Sequence, residues 1–240
     1  MAKDNHREMI RMNSKYRPRS FLLLLAVASL LLVLTSVIVA VKHSPATSYE
    51  FSLYDTMPIQ FWALIILSLC AGQVVLILSL NIHGCKSLSR LGILTVALSN
   101  LVLLLMPVIR GYQSYGRDDA MTHIGWTRVI ALTGCASPND IYPVVHIIGA
   151  NVNLLADLQI EALSIVIPVI FSTAFYVYFF ALASMIVGKG RVGARLSFSL
   201  GILLLFGNLQ LLYAPFTESF FLVPVVLYCY LKAVTAERNK

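Results

Sequence analysis

The stretch Phe21-Leu-Leu-Leu-Leu-Ala-Val-Ala-Ser-Leu-Leu-Leu-Val-Leu-Thr-Ser-Val-Ile-Val-Ala-Val41 decides the fold. It runs without a charged side chain for the ~20 residues that a helix needs to cross a hydrocarbon core of ~30 Å. A backbone in lipid must satisfy its own polar groups, so a run of this kind is a helix. It is also longer than the ~7–15 apolar residues of a signal-peptide core. No clear small-x-small cleavage site precedes His43, and the run is expected to stay as an uncleaved anchor.

Working outward, the same pattern recurs. Phe61–Ile82 and Leu91–Ile109 are further spans, and Ala162–Val187 is a longer one that contains Pro168. The stretch 196–232 is too long for one span, and Tyr213-Ala-Pro-Phe-Thr-Glu218 interrupts it. It reads as a hairpin with spans near 196–212 and 219–232. The expected fold class is therefore all-α: a polytopic bundle of about six transmembrane helices.

Composition agrees. The 240 residues are 58% hydrophobic and 12% charged, with mean hydropathy +0.81, whereas soluble domains carry about 25% charged residues. The basic excess, 18 Lys and Arg against 11 Asp and Glu, flanks the apolar runs and points to headgroups rather than nucleic acid. With the N-terminus inside, the inner segments 1–20, 83–90, 188–195 and 232–240 hold 14 of the 18 basic residues. Only Lys42, Arg110, Arg117 and Arg128 fall outside, together with eight of the eleven acids. The expectation is a multi-pass protein of the cell membrane with both termini cytoplasmic and membrane lipids as its surroundings. The tail 1–20 reads as a disordered or interfacial arm. The four cysteines, at 70, 85, 135 and 229, form no CxxC or Cys/His metal spacing.

The spans themselves carry little chemistry; Gln73, Asn100, Asn208 and Gln210 read as interhelical hydrogen-bonding groups. The polar segment 110–161 is different, because connections this long are often functional. After Gly116, the acids Asp118 and Asp119 suit the first turn of a helix over about 119–133, and Gly134 suits its end. Asp119 and His123 share a face at i,i+4. The stretch 142–158 reads as an interfacial or re-entrant helix, since Asn151, Asn153 and Asp157 make a seventh span costly.

Asp118, Asp119 and His123 can hold a divalent cation such as Mg or Mn through hard oxygens and an imidazole. Equally, an acid there can serve as a general base while Arg117 and Arg128 pair a phosphate. His146 reads as a further ligand or phosphate contact, or as a plain interfacial histidine. A plain amphipathic helix with solvated charges is the third alternative.

Gly116-Arg-Asp-Asp-Ala-Met-Thr-His123, followed by Tyr142-Pro-Val-Val-His146, resembles the acidic extracytoplasmic loop of archaeal and bacterial multi-pass glycosyltransferases of the GT-C class. The segment from Tyr213 to Pro224 is similar to stretches of large archaeal membrane proteins of that type. The likeness covers about a third of the chain. It implies a polyprenyl-phosphate sugar donor and a catalytic base or metal ligand at Asp118 or Asp119. That class has more spans and places its acidic loop after the first, so the chain reads as a partial or truncated member. A non-catalytic membrane subunit that docks a membrane-protein partner through the loop is the alternative. The lack of mid-membrane ionisable groups disfavours a small-molecule transporter.

Overall fold

The structure, a computed structural model, describes residues 2–47, 50, 52–81, 86–116, 119–186 and 213–238. Every regular element among them is helical: α1 (Ala2–Lys42), α2 (Leu53–Thr56), α3 (Ile59–Asn81), α4 (Lys86–Leu104), α5 (Met106–Ile109), α6 (Asp119–Thr133), α7 (Pro143–Ala156), a 3-10 turn (Ile160–Ala162), α8 (Leu163–Ile186) and α9 (Pro215–Arg238). Among the described residues, five segments are long and apolar enough to cross a membrane: Arg19–Lys42, Ile59–Ser79, Ser87–Leu104, Ile160–Ile186 and Pro215–Glu237. The chain is an all-α polytopic membrane protein.

Five of the expected spans coincide with these helices in position, with shifted ends. The third begins earlier, at Lys86, and stops at Leu104 rather than Ile109. Pro107, in the first turn of the short helix α5, lacks the N–H needed to continue the ladder. The last grows at both ends into a helix of 24 residues. Pro215, placed within the expected turn, instead starts that helix, where its missing N–H costs nothing. The expected arm is helical from Ala2 and continuous with the first span. The expected span near 196–212 lies outside the described residues, as do Asn208 and Gln210.

The chain forms two compact units, 1–42 with 54–102 and 43–53 with 103–240. Within the first, α3 and α4 approach closely at two glycines. A methyl group on Gly92 would stand 2.8 Å from the Gly72 carbonyl oxygen and 2.9 Å from the Leu76 nitrogen. In lipid, apolar burial gives no drive to associate, so packing of small residues and interhelical hydrogen bonds hold helices together. Such bonds include two between hydroxyls: Ser29 with Thr95 at 3.1 Å and Ser68 with Ser99 at 2.8 Å. The Asn100 amide donates instead to the Val96 carbonyl of its own helix, at 2.9 Å.

The second unit packs α8 on α9 and α6 on α7. Its core joins Leu163, Ile167, Phe171 and Phe175 of α8 to Tyr213 and Phe221. At the start of the polar segment, the buried Arg110 guanidinium donates to both Glu50 oxygens and to the His43 carbonyl, and Tyr112 donates its hydroxyl to Glu50. The Ala46 N–H closes the tie on the Arg110 carbonyl at 2.9 Å.

Candidate functional site

Local sequence positions both helices of the site. Gly116 has φ +108° and Gly134 has φ +74°, conformations that glycine adopts without penalty. Gly116 turns the chain just ahead of α6, and the Gly134 N–H ends it on the Ile130 carbonyl at 2.8 Å. Before α7, Asp140 forms an Asx turn: its Oδ1 accepts the Tyr142 N–H at 3.0 Å. Pro143 then opens the helix. Fourteen residues span only ~21 Å, so α7 is too short to cross a membrane, as its polar residues imply.

Packing α6 on α7 lines up four side chains. Asp140 Oδ2 lies 2.6 Å from His146 Nδ1. His146 Nε2 lies 2.8 Å from His123 Nδ1, with ring centroids 5.0 Å apart and planes at 29°. His123 Nε2 then lies 3.2 Å from Asp119 Oδ1. Both histidines are buried. The two ends differ sharply in exposure: the Asp119 side chain is 69% exposed and that of Asp140 2%.

With both rings neutral, the donor inventory gives one proton pattern. A carboxylate only accepts, so His146 Nδ1–H donates to Asp140. His146 Nε2 is then the acceptor, and His123 Nδ1–H donates to it. Burial lowers the His123 pKa below its ordinary 6.5, against the opposing pull of Asp119, so the neutral ring is the resting form at pH 7. Its Nε2 lone pair faces the Asp119 oxygen. Three links thus hold two protons, and one further proton at Nε2 completes the third.

A second chain braces this one. The Tyr213 hydroxyl donates to Thr127 Oγ1 at 2.9 Å, and Thr127 donates to the His123 carbonyl at 2.8 Å. Burial pushes the Tyr213 phenol up to about 12, so it stays a donor throughout the neutral range.

Of the residues singled out in the sequence, Asp119, His123 and His146 come together. Both ring nitrogens of His146 are engaged, one by Asp140 and one by His123. Arg128 pairs with Glu161 at the surface. Arg117 and Asp118 lie outside the described residues. Asp119 and His123 pair with each other, and the third ligand expected from the sequence, Asp118, is not among the described residues. No group of three or more His, Cys, Asp or Glu that could hold a metal ion occurs among the described residues.

Asp140, Thr127, Tyr213 and Glu218 were not foreseen. The signal for Asp140 was present, because Asp two residues before Tyr-Pro marks an Asx turn into a helix. Glu218, placed in a hairpin turn by the sequence, instead sits in the first turn of α9 and is fully buried.

The fold and site together define a polytopic membrane protein with a buried carboxylate–imidazole relay in its polar segment. No family model, curated protein or solved structure matches the chain.

Proposed function

We propose that the chain is a membrane glycosyltransferase of GT-C type, acting at the extracytoplasmic face of the cell membrane on a polyprenyl-phosphate sugar. The observation that carries this reading is the relay, one proton short of complete, ending at the exposed Asp119. An acceptor hydroxyl at Asp119 loses its proton to the Asp119–His123 pair as its oxygen bonds to the anomeric carbon. The bond from that carbon to the lipid phosphate breaks, and the phosphate leaves with the electron pair. The proton comes to rest on His123 Nε2, hydrogen-bonded to Asp119, and the imidazolium lies between Asp119 and His146. Arg117 and Arg128 are the candidate partners of the leaving phosphate; Arg128 would have to exchange its surface pair with Glu161, which is weakly held in water. Both termini are cytoplasmic in this reading, which rests on the 14 of 18 basic residues in the inner segments.

The test is transfer of labelled sugar from a polyprenyl-phosphate hexose in membranes carrying the full chain. Removing a positioned general base costs typically ~10²–10⁴-fold in rate, so Asp119→Asn should lose activity on that scale with expression unchanged. Undiminished transfer would sink the assignment.

A second reading, a membrane subunit that docks a partner, is favoured by the apolar residues that α6 and α7 leave exposed, Leu132 and Leu155 foremost. Charged substitutions at both positions should then release a co-purifying membrane protein while sparing any sugar transfer.

A further inference from the structure

We propose that a cavity beside Glu218 binds an amine carried on an apolar chain or ring, with the ammonium group against the Glu218 carboxyl. The cavity measures about 260 Å³ and lies among Tyr142, Val145 and Ile148 of the α7 end, Phe171 of α8, and Glu218 and Leu222 of α9. Its walls are largely apolar. Glu218 is 0% exposed, and neither of its carboxyl oxygens has a hydrogen-bond partner among the described residues.

An acid in this position is incomplete. A carboxylate taken out of water without a partner is strongly disfavoured, and the favourable end of the α9 dipole offsets only a fraction of that. Among the described residues no Lys, Arg or His lines the cavity, so the described lining offers no countercharge. An ammonium ion supplies both the charge and three donors. The remaining surface suits the rest of such a molecule: aliphatic side chains, with the Tyr142 and Phe171 rings able to face a cation. The volume is below the ~300–1,000 Å³ of ordinary ligand pockets, which fits a head group and its first carbons rather than a whole lipid.

The cavity also adjoins the relay. The Tyr142 ring lies edge-on to His123, with centroids 6.4 Å apart, and lines the cavity as well. The inference stands on Glu218 and the space before it, and holds whether or not sugar is transferred at Asp119.

The experiment uses the full chain in phosphatidylcholine nanodiscs, photolabelled with a diazirine-bearing octylamine and, in parallel, with the chain-matched octanol. Amine adducts should map to peptides covering 142–148 or 215–222. Losing one charge-assisted contact should lower labelling about tenfold in Glu218→Gln. Val145→Trp, which fills the cavity and keeps the carboxyl, should lower it as well and serves if Glu218→Gln does not fold. Equal labelling by the alcohol, adducts elsewhere, or undiminished labelling in the variants that fold would each overturn the proposal.

Discussion

Gly149 of α7 and Tyr213 meet where no methyl group can stand: a Cβ on Gly149 would lie 2.8 Å from the Tyr213 hydroxyl oxygen. It would also lie 3.0 Å from Thr127 Cγ2. This glycine is what allows α7 to approach the Tyr213–Thr127 brace, and through it His146 to reach His123. Gly149→Ala is expected to destabilise the protein by about 1–3 kcal/mol, the usual cost of overpacking. In a Tyr213→Phe background the added cost should shrink, because the clashing oxygen is gone. Melting of the four proteins of this cycle in detergent checks both statements.

The relay makes stability depend on pH. Burial holds the His123 pKa below 6.5 in the folded chain, while the unfolded chain titrates at the ordinary value. Below about 6.5 the unfolded state therefore binds a proton that the folded state refuses, and stability falls. The contribution is complete above that pH and is lost as pH drops towards the lowered value. Thermal melts across this range should show the decline, and it should be shallower in His123→Gln. A parent profile no steeper than that of the variant would contradict the assignment.

Asp140 holds the tautomer of His146. In Asp140→Ala the buried Nδ1–H loses its acceptor, at a cost of about 1–3 kcal/mol. The ring is then free to present its other tautomer to His123, so the loss should include order as well as stability. Nitrogen-15 spectra of the labelled imidazoles should show two His146 tautomers in place of one. A single unchanged tautomer would show that Asp140 does not set it.

The Arg110–Glu50 pair is buried, with side chains 6% and 9% exposed. Breaking such a pair from one side leaves a charge without its partner, at a cost of about 3–5 kcal/mol. Arg110→Met should therefore lower the melting temperature markedly, and adding Glu50→Leu should restore much of the loss. Limited proteolysis between 43 and 53 provides a second readout, because the same arginine also holds the His43 carbonyl.

What the sequence disclosed divides along physical lines. Helix positions were legible, because lipid demands long apolar runs and because Gly116, Gly134 and Pro143 punctuate the polar segment in characteristic ways. The pairing of Asp119 with His123 followed from helical spacing alone. The meeting of His123 with His146 depends on how α6 packs on α7, a matter of Gly149 and Thr127 that no local pattern displays. Arg110 looked like one of four exceptions to the charge asymmetry. Its partner, Glu50, lies sixty residues away, beyond the reach of periodicity. Glu218 was misplaced because Pro215 can end one element or begin another, and only the helix that follows decides between them.

The difference in exposure between the ends of the relay has one more consequence. Asp119 is exposed, whereas the far terminus, Asp140, spends its second oxygen on the Tyr142 N–H, a backbone group that cannot hand a proton on. The row is a blind alley. A proton that enters at Asp119 leaves by the same door, so the row can hold a proton and cannot conduct it. A protein built this way should leave a proton gradient across its membrane untouched while it works.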